Sequence, residues 1–223
     1  MDASIFLSDS RPTRHQFNRR VRRVQRDVLL MGALVENSCL LACKALFDHD
    51  LAAAQQIKTQ DKQIDRFYKK IELDCIGLLA LQAPVSRDLR LLSALMQLVR
   101  DLERIGDYAD DLGEISVKLF PYPPHDCLTD VQTMADRCRA MLAMSLAALS
   151  NLDAESGLEM KLKDDAVDAD YENLYNVLAQ QRDVPGVIEP TVLLVLVIRH
   201  LERMADHATN IGKRVAFIVT GKR

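Results

Sequence analysis

Two short acidic motifs contain the residues best suited to do chemistry. Glu103 stands four residues before Asp107, and Glu202 stands four before Asp206. They sit in two versions of one phrase, Val99 to Gly113 and Ile198 to Gly212. Side chains four apart share a helix face, where like charges cost about 0.2–0.5 kcal/mol. Asp61 with Asp65, and Asp164 with Asp168, repeat the same spacing. Acids on a polar helix face are ordinarily solvated and paired with neighbouring cations, here Arg100, Arg104, Arg199 and Arg203. Their recurrence at repeat-related positions points to bound metal instead. Oxygen-only donors suit Mg, Ca, Mn or iron and argue against structural zinc. A ferritin-like di-iron centre would place Glu-x-x-His on inward-facing helices, but His207 is five residues from Glu202.

The elements that must position these acids are helices. A first helix runs from about Arg14, basic through Arg26 and then apolar, and stops near Asp48-His49-Asp50. Asp50 is placed to cap a second helix from Leu51 to about Leu81, in which Ile57, Ile64, Ile71 and Leu78 recur every seven residues. Pro84 marks a turn, and Ser86 is expected to cap a third helix reaching about Leu119, with Asp88 in its first turn. Three prolines within Phe120 to Asp126 cannot continue a helix, so residues 120–126 are read as a linker. The pattern then restarts. Helices are expected over about 127–150, 154–182 (capped by Asp153) and 188–219, the last two separated by a turn at Pro185-Gly186.

The two halves are copies of one unit. Met31, Asp50, Asp61, Ile64, Asp65 and Tyr68 correspond to Met134, Asp153, Asp164, Val167, Asp168 and Tyr171 at a shift of 103 residues. Over the third and sixth helices the shift is 99. The expected fold is therefore all-α: two tandem three-helix bundles made by internal duplication and packed side by side. The expected segments are a flexible N-terminus over 1–13, bundles over 14–119 and 127–219, and the linker between them. Folding the first half at Pro84 brings Asp65 level with Glu103 and Asp61 level with Asp107. Folding the second at Pro185 brings Asp168 level with Glu202 and Asp164 level with Asp206. Leu98, Leu102, Ile105, Ala109 and Leu112 take the opposite face of the third helix, so the acids are expected to line a surface groove.

The composition excludes several classes. A net charge of −3 is not that of a nucleic-acid coat, and 27% charged residues with no Trp suit helices. Five cysteines without zinc-like spacing, and an N-terminus without a basic-then-apolar order, suggest free thiols in a reducing cytosol. The longest apolar run, Val192 to Ile198, is far below the ~20 residues of a membrane span, so no crossing segment is expected.

Leu102-Glu-Arg-Ile-Gly-Asp-Tyr-Ala109 and Leu201-Glu-Arg-Met-Ala-Asp-His-Ala-Thr-Asn-Ile211 resemble the paired signature of the PhoU family of phosphate-transport regulators. Gln82-Ala-Pro-Val-Ser-Arg-Asp-Leu-Arg90 is similar to that family's hairpin motif, and the likeness covers about residues 20–218. The resemblance implies a cytoplasmic, non-enzymatic negative regulator of phosphate uptake and of phosphate-starvation signalling. It would contact the ATPase of the phosphate ABC transporter and a sensor histidine kinase, and form a homodimer. Some members carry iron or zinc clusters on repeated acidic motifs. Carried over by position, the ligands would be Asp61, Asp65, Glu103 and Asp107, then Asp164, Asp168, Glu202 and Asp206, holding iron, zinc, manganese or magnesium. Asp111 and Asn210 would be weaker members. The first repeat has Asp111 where the second has Asn210, and the second lacks the Arg-Asp-Leu-Arg element, so its site is the less secure.

Other features carry less. The arginines between Arg14 and Arg26 read as a solvated helix face or as an attraction to anionic headgroups, giving peripheral membrane association there or through the transporter. Cys39 and Cys43 read as core packing, His200 as helix surface, and His207 as sharing a packing role with the aligned Tyr108. The competing functional class is a Mg-dependent all-helical nucleoside triphosphate pyrophosphatase, whose acids favour i, i+3 spacing and an inward-facing site. A PhoU-like paralogue serving another transporter is a third reading.

Overall fold

The computed structural model describes residues 14–180 and 187–222. The expectations for residues 1–13 and for the Pro185-Gly186 turn lie outside the described residues. Six helices follow one another: α1 (Arg14–Phe47), α2 (Leu51–Gln82), α3 (Ser86–Leu119), α4 (Leu128–Asn151), α5 (Ala154–Ala179) and α6 (Glu189–Thr220).

Their starts follow from short polar side chains. Asp50 adopts an extended backbone and accepts from the backbone N–H groups of Ala52 and Ala53, both at 3.0 Å. Its repeat mate Asp153 accepts in the same way from Glu155 and Ser156 at 3.1 and 3.2 Å. Ser86 does not cap α3. The chain turns through Ala83 (φ 41°), Pro84 and Val85, and Ser86 itself has φ 53°. Val85, which has no side-chain oxygen, takes the N-cap position. Proline disfavours right-handed helix in the residue before it, so the turn is set by Pro84 and not by serine chemistry. Asp50→Ala and Asp153→Ala are each expected to lower stability by about 1 kcal/mol, and Ser86→Ala by much less. Urea unfolding that gave all three the same cost would contradict this account of the helix starts.

Each trio packs on itself, and the two trios meet along α3 against α6, with α1 touching α4. Among the described residues, α2 packs only on α1 and α3, and α5 only on α4 and α6, so these two helices are outermost. The seven-residue stripe of α2 is fully inside, with Ile57, Ile64, Ile71 and Leu78 at 0–1% exposure. Met160, Val167 and Leu174 repeat it on α5 and are likewise buried. Each such side chain removed from water contributes about 1.5–3 kcal/mol before entropy is set against it. Leu98, Leu102, Ile105, Ala109 and Leu112 all face inward on α3, and one apolar core runs through both bundles.

Small residues set the spacing of the outer helices. A Cβ on Gly106 would meet Ile64 at 3.1 Å, and one on Gly113 would meet Ile57 at 3.0 Å. In the second bundle the approach is backbone on backbone. A Cβ on Gly157 would lie 2.6 Å from the Gly212 carbonyl oxygen, and one on Gly212 would lie 2.4 Å from that of Gly157.

By length and composition α1 is apolar enough to cross a membrane, which the reading of uninterrupted apolar runs did not anticipate. Half of that stretch is buried against the other helices, as in the core helix of a bundle. All five cysteines are unpaired. Burial pushes the half-covered Cys43 thiol up to about 11, opposed by Arg139, which leaves it protonated.

Candidate functional site

The two hairpins bring the acids together as groups. On the α2–α3 face, burial raises the Glu103 carboxyl; Arg104 opposes this, and Asp65 and Asp61 reinforce it from the neighbouring helix. Asp107 is pushed up to about 6 by burial, then by Glu103, with Arg104 opposing and Asp65 adding to the rise. Asp61 is raised by burial and by Asp110, Asp65 and Asp107. On the α5–α6 face, burial raises Asp168, helped by Asp164 and by Asp206 across the groove, with Lys161 opposing. Glu202 is raised by burial, with Arg199 opposing and Asp206 and Asp168 adding to it. On each face, acids of one helix thus raise acids of its neighbour.

The grooves are not uniformly open. Side-chain exposure is 20% for Glu103 and 16% for Glu202 but 42% for Asp65 and 50% for Asp168. Asp164 departs from the expected surface position: it is 5% exposed. Its Oδ2 accepts from Lys161 at 3.2 Å, while its Oδ1 is buried without a hydrogen-bond partner. An orphaned buried acceptor costs about 1–3 kcal/mol, more when charged.

Cations of the protein itself already attend the acids. Arg104 donates to Asp107 at 3.2 Å and Arg203 to Asp206 at 3.0 Å. One nitrogen of Arg199 reaches both oxygens of Glu202 at 2.9 Å. Lys161 lies among Asp164, Asp165 and Asp168. Among the described residues, no three His, Cys, Asp or Glu side chains close around a metal-sized space. Most of the donors are thus attended by an arginine or lysine of their own helix.

Two things escaped the sequence reading. Asp110 belongs to the first groove, where it acts on Asp61 and faces Lys58. The sign was its position three residues after Asp107, on the side that meets α2. The second is a polar seam between the bundles. Asp101, buried on α3, pairs with His207 Nδ1 of α6 at 2.8 Å, and the Tyr108 ring lies 5.4 Å from His200 and 5.9 Å from His207. At the shift of 99, Asp101 corresponds to His200 and Tyr108 to His207, so the two contacts are related by the internal repeat. His200 thus sits in the seam, not on the free surface. Asp111 turns the same way and lies 3.9 Å from His200, at the edge of the first groove. Asn210 is half-buried on α6.

A duplicated three-helix bundle with repeat-related acids on its outer hairpins defines a class of all-α tandem-repeat scaffold. The model of the PhoU domain matches twice, over residues 28–116 and 131–215, and the chain belongs to the PhoU family. It is 55% identical over 223 residues, the full length of both chains, to the phosphate-specific transport system accessory protein PhoU homolog of Synechocystis sp.. The crystal structure of PhoU from Pseudomonas aeruginosa superposes with a TM-score of 0.86 at 31% identity, over 93% of this chain and 100% of that one. The phosphate transport system regulatory protein PhoU from Streptococcus pneumoniae matches with a TM-score of 0.84 at 28% identity, covering 93% and 98%.

Proposed function

We propose that this protein is a non-enzymatic negative regulator of phosphate uptake and of the phosphate-starvation response. It works in the cytoplasm by contact with the ATPase of a phosphate ABC transporter and with a sensor histidine kinase. The observation that carries this reading is the full-length similarity to a protein named as an accessory of phosphate-specific transport. The physical support is a rigid double bundle with long outer helices that present apolar side chains to solvent, such as Leu73 on α2 and Leu158 and Leu162 on α5. Peripheral membrane association, through the transporter or the arginines of α1, and a homodimeric state belong to the same reading. Affinity capture under phosphate excess should enrich the transporter ATPase and the kinase. Sustained pyrophosphate release from nucleotides with Mg, abolished by Glu103→Gln, would replace the regulator with an enzyme.

The acidic grooves are proposed to hold divalent or trivalent cations: Asp61, Asp65, Glu103 and Asp107 in one, Asp164, Asp168, Glu202 and Asp206 in the other. All-oxygen donors and the orphaned Asp164 Oδ1 fit such an ion. Bound metal would neutralise the grooves and release the arginines for partner contacts. Elemental analysis of the native protein should find metal that the Glu103→Gln/Glu202→Gln double variant has largely lost. Equal content in both would remove these residues from the ligand set.

A further inference from the structure

A cleft of about 330 Å³ opens where α1 and the start of α3 meet the end of α4, so both bundles contribute to it. Leu29, Leu91, Leu149 and Leu152 wall it, and Arg22 and Arg26 stand at its edge. Its size falls within the ~300–1,000 Å³ of small-molecule sites, which combine an apolar lining with a few polar anchors.

The anchors are of one sign. Arg19, Arg22 and Arg23 are exposed and have no acidic partner among the described residues, and Arg26 has only a 3.8 Å contact to Asp27. Asp27 is itself taken up by Lys70 of α2. In a chain of net charge −3, four arginines without close counter-ions on two turns of one helix make a local field opposite to that of the whole. Further along the same face, Leu29 and Leu30 are 38% and 49% exposed. Guanidinium groups at headgroup depth with leucines beyond them are the two halves of an interfacial helix.

We propose that this cleft holds the acyl chain of an anionic phospholipid whose phosphate lies on Arg22 and Arg26, so that a single bilayer lipid bridges the two bundles. This rests on the membrane-facing reading of α1 and specifies its ligand. The test is co-sedimentation of the full chain with vesicles of neutral phosphatidylcholine, alone or mixed with phosphatidylglycerol. Binding is expected to the mixed vesicles only. It should weaken about 30-fold in Arg22→Gln/Arg26→Gln, a factor of about five for each charge removed near the surface. Lys118→Gln/Lys163→Gln, with the same change of charge elsewhere, should bind as the native chain does. Ser150→Trp, an exposed position in the cleft lining, should bind several-fold more weakly with all arginines intact. Calorimetry should show heat with dodecyl phosphate and none with inorganic phosphate at the same concentration. If the native chain ignores anionic vesicles, both the membrane reading and the lipid site fail. If Ser150→Trp binds like the native chain, or inorganic phosphate binds as well as dodecyl phosphate, the lipid site alone fails. An acidic helical peptide that bound in place of vesicles would likewise overturn it.

Discussion

Gly212→Ala is expected to lower stability by about 1–2 kcal/mol, although alanine is the better helix former. The added Cβ would stand 2.4 Å from the Gly157 carbonyl oxygen and 2.9 Å from Met160 Cγ. The first obstacle is backbone, so relief requires α5 to move off α6 along its length. Overpacking of this kind costs about 1–3 kcal/mol, occasionally more, against a gain of about 1 kcal/mol in helix propensity. Gly32→Ala separates the causes, because its Cβ would meet the flexible tip of Leu146 at 2.6 Å. Gly113→Ala, the repeat mate of Gly212, would touch the end of Ile57 at 3.0 Å and the Ala54 backbone at 3.8 Å. Both of these should be near neutral. The contrast also reaches the acids, since Gly212 lies about 9 Å along α6 from Asp206 at the helical rise of ~1.5 Å per residue. A wedge there would tilt Asp164 and Asp168 away from Glu202 and Asp206. Urea unfolding with equal midpoints for Gly212→Ala and Gly113→Ala would refute the close crossing.

What the sequence made legible follows from which interactions are local. The Asp50 and Asp153 caps were readable because a short acid before a helix acts on backbone two and three residues away. That acids of α2 act on those of α3, and acids of α5 on those of α6, was foreshadowed by their equal spacing along helices of fixed rise. Ser86 was misread: its type suits a cap, yet the chain enters α3 one residue earlier, with Val85 at the N-cap position. The seam of Asp101, Tyr108, His200 and His207 was not readable, since it depends on how the bundles dock and no periodicity within one helix encodes that. Asp164 shows the same limit on a smaller scale. Spacing placed it beside the apolar stripe, but only the close approach of α5 to α6 determines that it is covered while Asp168 is half-exposed.

Asp107→Asn is expected to stabilise the metal-free protein at pH 7.5 and to lose that advantage at pH 5. Burial first, then repulsion from Glu103, hold the native carboxyl at about 6 against an ordinary 3.8. Between about pH 4 and 6 the folded state therefore binds more protons at this position than the unfolded state. Stability then falls as pH rises through that window. Fully expressed, the difference would be about 3 kcal/mol at neutral pH. The side chain is 35% exposed, and solvent screening reduces the expected gain to about 1 kcal/mol. Asp61, Glu103, Asp168 and Glu202 are raised for the same leading reason, so each adds to the loss of stability as pH rises through the carboxylate range. A cation in the groove reverses the sign. It favours the ionised carboxylates and stabilises whichever state binds it. With saturating Mn or Fe at pH 7.5, the native protein should gain several degrees of melting temperature, and Asp107→Asn should gain markedly less. Melting curves at both pH values, with and without metal, test the two halves together. An Asn variant that is less stable at pH 7.5 without metal would show that Asp107 serves its pair with Arg104. Equal metal-induced shifts in both proteins would remove Asp107 from the cation site.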